Sequence, residues 1–252
     1  MEFSTPVTSL SQQDKYKDLT LHPDDILRKL LMSDRSEIIR LIAKSYSGGR
    51  WLRGYIRGKL STDPVFDAGL QSVKGYPGPV VDLGCGLGLF GLWLRANGNE
   101  ESYRGCDLDE WKISAACTAR DSLGYHDLNI ECIGLESQLL NGAKTICLFD
   151  VFHYLPSDSQ DSLISRLAEA TRNGAQVLIR TGVADCGWRS VVTAIQEWWI
   201  RSSGWIRGGK VLLPTLAHLN RRFGELGCRV ETIPLSGKTP FSSYFLKVSS
   251  RH

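Results

Sequence analysis

The spacing of hydrophobic residues changes partway along the chain. Up to about residue 75, apolar residues recur three and four positions apart, which is the spacing of one face of an amphipathic helix. Beyond the breaker-rich sequence KGYPGP at 74–79, short apolar runs alternate with amphipathic stretches instead. This change predicts a flexible tail at 1–22, a helical N-terminal cap at 23–75 and an α/β domain at 76–252.

The second part of the chain alternates strand and helix patterns. Five short apolar runs are predicted to be strands, at 80–83, 102–107, 128–133, 145–150 and 176–181. Amphipathic segments between them predict helices at 89–95, 110–123 and 159–172. Such an alternation is typical of a parallel sheet that is covered by helices on both faces.

The last third of the chain departs from this alternation. A predicted helical insertion at 186–226 separates the fifth strand from two further strand patterns, at 228–235 and 242–250. Because only the short sequence SGKTPF joins these two strands, they are predicted to form an antiparallel hairpin. The predicted fold is therefore an α/β three-layer sandwich. Its mostly parallel seven-stranded sheet ends in an antiparallel hairpin, and the helical cap precedes it.

Composition adds few constraints. The 252 residues are 42% hydrophobic and 23% charged, which is ordinary for a globular protein, and the net charge of +3 does not demand an anionic partner. The polar N-terminus lacks the pattern of a secretory signal, and no apolar run is long enough to span a membrane. Seven cysteines without a CxxC pair or a metal-ligand spacing favour reduced, buried thiols. These observations predict a cytoplasmic protein without a metal site.

A glycine-rich sequence, VVDLGCGLGLFGLWL, follows the first predicted strand. Glycines alternate at Gly84, Gly86 and Gly88, so the backbone can approach a ligand closely. A dinucleotide-binding fingerprint would need its third glycine at the next position, which Leu89 occupies. No lysine follows as it would in a P-loop. The spacing therefore disfavours both kinds of phosphate-binding loop.

The sequence DLGCGLG resembles motif I of the class I S-adenosylmethionine-dependent methyltransferases, and the resemblance extends from about Pro79 to the end of the chain. It implies a Rossmann-like fold with S-adenosylmethionine as cofactor. It also implies that Asp107, after the second strand, holds the ribose hydroxyls and that Leu108 lies near the adenine. Asp109 is predicted to be the N-cap of the helix that follows. Leu135 occupies a place where the family often has an acid, which leaves the adenine contact open. The residues matching the methionine-binding turn are Asp82, Gly84, Cys85, Gly86 and Gly88.

The fourth strand ends in FDVFHYLP, which resembles motif IV of the same family. His153 is the candidate general base, because histidine titrates near neutral pH and α/β sites assemble at the carboxyl ends of strands. Tyr154 is predicted to orient the acceptor, and Asp150 to lie near the sulfonium or to shape the pocket. The alternatives are that His153 only packs or caps the loop and that Asp150 only bonds loop amides.

The acceptor is predicted to be a small molecule. The Asn/Asp-Pro-Pro-aromatic motif of enzymes that methylate base or glutamine amines is absent, and Cys147 lacks the context of a pyrimidine-attacking nucleophile. Four tryptophans around the insertion favour an aromatic or long apolar acceptor. Two alternatives remain, an RNA or nucleoside methyltransferase and a non-catalytic protein of the same fold. The tryptophans are Trp188, Trp198, Trp199 and Trp205.

The predicted cap carries basic and aromatic residues. Arg57 is predicted to pair with the carboxylate of the cofactor, against the alternative of a solvated basic face. Trp51 and Tyr55 either line the acceptor pocket or belong to the core.

The combination of RGKL…DP, DVFHYLP, LIRTG and GKTPFSSY is similar to methyltransferases of bacterial aryl-polyene pigment clusters. That similarity implies a phenolic head group, methylated at carbon or oxygen while tethered to an acidic carrier protein. Basic segments at 50–59 and 201–210 are predicted to dock such a carrier.

Overall fold

A computed structural model describes residues 35–135, 137–182, 215–235 and 243–251. Its helices are α1 (Arg35–Ser45), α2 (Arg50–Thr62), α3 (Val65–Lys74), α4 (Leu89–Ala96), α5 (Glu110–Ser122), α6 (Ser157–Arg172) and α7 (Leu216–Glu225). Its strands are β1 (Val80–Leu83), β2 (Tyr103–Asp107), β3 (Leu128–Cys132), β4 (Thr145–Phe149), β5 (Gln176–Gly182), β6 (Cys228–Leu235) and β7 (Ser243–Ser250). Single-turn 3-10 helices lie at Ser137–Leu140 and Phe152–Tyr154.

The strands form one sheet in the order β3-β2-β1-β4-β5-β7-β6. The first five strands in this order are parallel, whereas β7 is antiparallel to both β5 and β6. This arrangement confirms the predicted mostly parallel sheet with an antiparallel hairpin at its end. Helix α6 begins two residues before its predicted start, because Pro156 is the N-cap residue and Asp158 lies in the favourable first turn.

Helices cover both faces of the sheet, and each face has its own apolar cluster. One cluster joins α1 to α5 with residues such as Val80 and Cys147 on the sheet. The other joins α6 and α7 with residues such as Val81 and Ile146 on the opposite face. Successive residues of a strand point to opposite faces, so runs that are apolar throughout produce this double burial. The result is the predicted three-layer sandwich, with α1, α2 and α3 as its N-terminal helices.

The order of strands reverses next to β1. The chain passes from β1 to β2 and β3 on one side, then returns to place β4 on the other side of β1. In sheets of this kind, ligands bind in the crevice at the carboxyl ends of the strands where the order reverses. The turns that follow β1, β2 and β4 all lie at this edge, and they carry the sequence motifs.

Some predictions fall outside the described residues. These are the tail at 1–22, the helical pattern before residue 35, the insertion from 186 to 214 and its four tryptophans, and the basic segment at 201–210. In the ranges that the structure describes, no helix is long and apolar enough to cross a membrane. Nor does that part of the chain bring together three histidine, cysteine or acidic side chains in an arrangement suited to a metal ion.

Candidate active site

The glycine turn after β1 uses its amide groups within the protein. The N–H groups of Gly84 and Cys85 both donate to the carbonyl oxygen of Cys106, at 2.7 and 2.9 Å. The N–H of Gly88 donates to the carbonyl of Cys85 at 2.9 Å, and that of Gly86 to Asp107 Oδ2 at 3.0 Å. A phosphate-binding loop presents such amides to its ligand instead. The geometry therefore supports the exclusion of phosphate binding that the glycine spacing suggests.

Two of these glycines shape the space around the turn. Gly84 has a φ of +74°, and a Cβ built on it would lie 2.5 Å from Val151 Cγ2, so the turns after β1 and β4 touch here. Gly86 differs, because a Cβ there would find no neighbour closer than Lys112 at 3.8 Å and Asp107 at 3.9 Å. The bare α-carbon of Gly86 thus borders open space beside the carboxylate of Asp107.

Asp107 closes β2 and holds both neighbouring loops. Its Oδ2 accepts the bond from Gly86, and its Oδ1 accepts a bond from the N–H of Asp109 at 2.9 Å. A carboxylate has about four lone-pair directions, so this half-buried group retains capacity for two hydroxyl donors. Asp109 caps α5, as predicted, by accepting a bond from the N–H of Lys112 at 3.1 Å.

Lys112 is a site residue that sequence reasoning missed. Its Nζ lies 3.4 Å from Asp109 Oδ2, and its charge also interacts with Asp107. Burial lowers the pKa of Lys112 despite these two carboxylates. The only sequence signal was its position three residues after the cap, where helix side chains meet.

Asp82 lies behind the glycine turn rather than in the crevice. Only 2% of the residue is exposed, and its Oδ2 accepts a hydrogen bond from the hydroxyl of Tyr103 at 2.7 Å. Burial raises the pKa of Asp82 to about 7, the charge of Asp107 adds to this, and the bond from Tyr103 opposes it. Any effect of Asp82 on a ligand therefore acts through the turn in front of it.

A group of four charged side chains joins α2 to the ends of β4 and β5. Arg180 Nη1 forms a very short ion pair with Asp150 Oδ2, and Arg180 Nη2 lies 3.5 Å from Asp63 Oδ2. Lys59 Nζ lies 3.5 Å from Asp63 and 3.8 Å from Asp150. Burial acts to lower the pKa of both cations, but the two acids outweigh it, so the pKa values are raised overall. We call Lys59, Asp63, Asp150 and Arg180 the charge cluster.

Sequence reasoning found one member of the charge cluster. Asp150 was predicted as a site residue, and it has a φ of +63°, a left-handed conformation that is uncommon outside glycine. Arg180 holds it with its side chain and with its carbonyl oxygen, which accepts the N–H of Asp150 at 3.0 Å. The sequence did not indicate the other three members as site residues. Asp63 precedes a proline, Arg180 lies in an otherwise apolar strand, and Lys59 is one of several basic residues in the cap.

The remaining predicted residues are spread along the same edge. His153 lies in the 3-10 turn Phe152–Tyr154, but its side chain is outside the described part of the structure. Tyr154 is 43% exposed, and burial, the charge of Asp150 and nearby Tyr55 raise its pKa. Leu108 is half-exposed after β2, and Leu135 packs partly buried against the cluster of α6 and α7.

Helix α2 presents two different flanks beside its buried face. Tyr55 and Lys59 are four residues apart and share the flank that faces the charge cluster, with Trp51 stacked on Tyr55. Arg57 is exposed and lies roughly 200° around the helix from both Tyr55 and Lys59. The structure therefore brings Lys59, and not Arg57, to the end of β4.

A profile of a known protein family matches most of this chain. The family is described as a methyltransferase domain, and the match covers residues 60–233. The chain belongs to this methyltransferase family. It is an S-adenosylmethionine-dependent methyltransferase, so the class predicted from motif I is confirmed.

Solved methyltransferase structures share its fold. Magnesium protoporphyrin IX methyltransferase from Synechocystis PCC 6803 with bound SAH has 19% identity and a TM-score of 0.57, over 90% of this chain and 98% of that one. An O-methyltransferase family protein from Burkholderia thailandensis has 16% identity and a TM-score of 0.54, over 90% and 72%. The mitomycin 7-O-methyltransferase has 16% identity and a TM-score of 0.55, over 80% and 57%. Comparison with curated proteins produced no match.

The site of this methyltransferase suits its cofactor. S-adenosylmethionine carries a vicinal diol, a flat ring, a sulfonium cation and an amino-acid end with an ammonium and a carboxylate group. Asp107 has lone pairs beyond those used by its two protein partners, and Gly86 leaves room beside it. Leu108 is half-exposed next to Asp107, and the buried carboxyl group of Asp82 lies behind the turn. The residues present therefore fit a diol-bearing cation better than they fit a phosphate.

Proposed function

We propose that this methyltransferase acts on a small phenolic acceptor bound between α2 and the turn after β4. The observation that carries the proposal is the group of exposed aromatic side chains at this place. Trp51 and Tyr55 stack with ring centroids 6.1 Å apart and an interplanar angle of 10°, and Tyr55 acts electrostatically on Tyr154. All three side chains are more than 40% exposed. Large aromatic faces of this kind suit a flat aromatic ligand.

The proposed cofactor site lies in the turns after β1 and β2. When bound, S-adenosylmethionine supplies a methyl group that its sulfonium activates for transfer. We assign the diol to Asp107, the amino-acid end to the turn of Gly84, Cys85, Gly86 and Gly88, and the ring to Leu108 and Leu135. Asp82 contributes its charge from behind the turn. Arg57 stays a prediction as partner of the cofactor carboxylate, and its position on the far flank of α2 gives it no support.

His153 is the proposed general base, which takes the proton of the phenol as the methyl group is transferred. Asp150 is a poor candidate for this role, because Arg180 and Lys59 already neutralise its carboxylate. We therefore assign Asp150 to shaping the turn that carries His153 and Tyr154. We assign Tyr154 to orienting the acceptor, since it is 43% exposed and lies close enough to Tyr55 for the two to influence each other.

Two further features bear on the class of acceptor. A protein from neocarzinostatin biosynthesis, crystallised with 1,4-dihydroxy-2-naphthoic acid, has 19% identity and a TM-score of 0.50 to this chain, over 89% of this chain and 69% of that one. Exposed Arg50, Arg53 and Arg57 share one flank of α2, and no acidic residue interrupts the helix. The first feature supports a phenolic acceptor, and the basic flank supports one that is carried on an acidic protein. The aryl-polyene type of phenol and a cytoplasmic location stay predictions from the sequence.

The proposal is tested first by binding and turnover. We expect S-adenosylmethionine to bind in a calorimetric titration and mass spectrometry to detect a methylated product from 1,4-dihydroxy-2-naphthoic acid or hydroxycinnamic acids. Free acids and the same acids loaded on a carrier protein are compared. The absence of cofactor binding at high micromolar concentration, or methyl transfer to RNA alone, would overturn the proposal.

The role of His153 is tested separately. Removing a general base typically lowers turnover about 100- to 10,000-fold, so His153→Ala is expected to lose kcat by that order while binding the cofactor normally. His218→Ala is the matched control, because the side chain of His218 lies 3.4 Å from Asp161 on helices outside the turn after β4. Unchanged turnover in His153→Ala, with the fold intact, would remove the base from the mechanism.

A further inference from the structure

The side chain of Tyr103 packs between two glycines, Gly91 and Gly105, and its hydroxyl donates a hydrogen bond to Asp82. A Cβ on Gly91 of α4 would lie 2.6 Å from the ring carbon Cζ of Tyr103. A Cβ on Gly105 of β2 would lie 3.0 Å from both the Tyr103 hydroxyl and Cys85 Sγ. The distance at Gly91 is shorter than real Cβ contacts, so a side chain there would displace the ring, and a side chain at Gly105 would press on the hydroxyl and on Cys85. The ring is 98% buried, and its position leaves the hydroxyl 2.7 Å from Asp82 Oδ2.

The described surroundings of Asp82 consist of another acid, thiols and a phenol. The titratable groups that interact with it are Tyr103, Cys106 and Asp107 from β2, Cys85 from the glycine turn and Cys147 from β4. Among the described residues, no lysine, arginine or histidine forms an ion pair with Asp82. A buried carboxylate without a positive partner is unfavourable, and one hydroxyl donor compensates only in part. The pKa of Asp82, raised to about 7 mainly by burial, agrees with this imbalance.

We propose that Tyr103 is a positioning residue for cofactor binding, because its hydroxyl favours the ionised form of Asp82 behind the glycine turn, and the positive charge of S-adenosylmethionine then stabilises that form further. This inference rests on the proposed cofactor site. The proposed role explains why a tyrosine hydroxyl and two closely packed glycines occur in a part of the core that is otherwise apolar. It also makes cofactor affinity depend on pH, since the cation favours the ionised form of Asp82.

The test is a set of calorimetric titrations with S-adenosylmethionine at pH 6, 7 and 8. Because only the ionised fraction binds well, the affinity of the wild type is expected to rise about tenfold from pH 6 to pH 8. Tyr103→Phe removes the hydroxyl alone, so its profile is expected to move to higher pH and its affinity to fall about fivefold at pH 7. Protonation of S-adenosylmethionine itself changes the measured affinity equally for the wild type and the variants, so it does not alter the difference between their pH profiles.

Tyr76→Phe is the matched control. The hydroxyl of Tyr76 also makes one hydrogen bond, to the carbonyl oxygen of Gly174 at 2.8 Å, but both residues precede the amino ends of strands, at the opposite edge of the sheet from the glycine turn. Its profile is expected to coincide with that of the wild type. Coincident profiles for wild type and Tyr103→Phe would overturn the inference while leaving the proposed function intact. A wild type that binds no cofactor at any pH would overturn both.

A second measurement leaves Tyr103 in place and follows Asp82 directly. The carboxyl carbon of Asp82 is followed by carbon-13 NMR in the wild type, with its signal assigned by its loss in Asp82→Asn. We expect titration near pH 7 without ligand and a midpoint lowered by at least one unit after S-adenosylmethionine is added. An ordinary midpoint near 4 without ligand, or a midpoint that the cofactor does not move, would contradict the proposed role.

Discussion

The contact between Gly84 and Val151 ties together two turns that lie far apart in the sequence. Gly84 follows β1 and Val151 follows β4, and the missing side chain of the glycine is what allows them to touch. Val151 stands between Asp150 and the 3-10 turn that carries His153. The position of the proposed base therefore depends on the glycine turn as well as on its own strand.

Gly84→Ala is expected to disturb both stability and binding. Its φ of +74° disfavours a side chain by about 1–2 kcal/mol, and the clash with Val151 Cγ2 adds about 1–3 kcal/mol. Gly98→Ala separates the two effects, since Gly98 has a φ of +76° but no neighbour within 4 Å. Urea denaturation and calorimetry with S-adenosylmethionine measure the difference. Equal losses in the two variants would show that the contact with Val151 does not matter.

Local patterns determine how far single residues can be predicted. The glycine turn, Asp107 and the N-cap Asp109 follow from short motifs at characteristic spacings, and the structure shows Asp109 in its predicted place. Lys59, Asp63 and Arg180 belong to segments with no sequence relation to one another, and only packing brings their charges together. The burial of Asp82 also depends on a tyrosine from the neighbouring strand, which no spacing rule indicates.

At the scale of elements, the charge cluster connects α2 to the carboxyl ends of β4 and β5. Lys59 and Asp63 come from the end of the helix, and Arg180 and Asp150 come from the sheet edge. The side chain of Arg180 is 15% exposed and contacts both acids. Without this arginine, two largely buried carboxylates would share a single lysine. The charge cluster thus adds an electrostatic tether to the apolar packing that holds α2 over the proposed acceptor site.

Arg180→Leu is expected to lower the free energy of unfolding by about 3 kcal/mol or more, because it leaves buried acids without their main partner. Arg222→Leu is the control, since Arg222 pairs with Asp161 at 3.1 Å and with Glu225 at 2.9 Å on the surface, where such pairs contribute about 1 kcal/mol or less. Urea denaturation gives the energies, and hydrogen exchange reports on α2. Similar losses for the two arginines, with α2 equally protected, would contradict a tethering role.

The helices and strands could be predicted because the spacing of apolar residues along the chain reflects which of them are buried in the fold. Apolar runs became strands buried on both faces, and spacings of three and four became helices. The position of β7 between β5 and β6 was not predicted, since a hairpin can join a sheet edge through either of its strands. That choice depends on packing between β5 and β7 across the whole sheet, which a local pattern does not contain.

At the scale of the whole molecule, Asp82 makes the free energy of unfolding depend on pH. Its pKa is raised from 3.8 to about 7 in the folded protein, mainly by burial. The folded state therefore binds the proton more tightly than the unfolded state between these values. By linkage, the contribution of Asp82 to stability is largest below about pH 4, falls as pH rises towards 7 and is level above that.

Asp82→Asn tests this linkage, because asparagine resembles the protonated acid at every pH. The stability of the variant relative to the wild type is expected to increase by up to about 4 kcal/mol between pH 4 and pH 8. Denaturation in urea at several pH values without ligand measures the difference. Parallel curves for the two proteins would mean that Asp82 has an ordinary pKa in the folded state.

The place of β7 in the sheet has a consequence for synthesis. During translation, earlier segments of a protein start to fold before later ones leave the ribosome. Among the described strands, β6 has its only sheet neighbour in β7, which the ribosome makes afterwards. Until β7 emerges, β5 and β6 both present unpaired backbone groups, and such edges pair readily with other chains. The sheet is therefore completed late, only after β7 has left the ribosome.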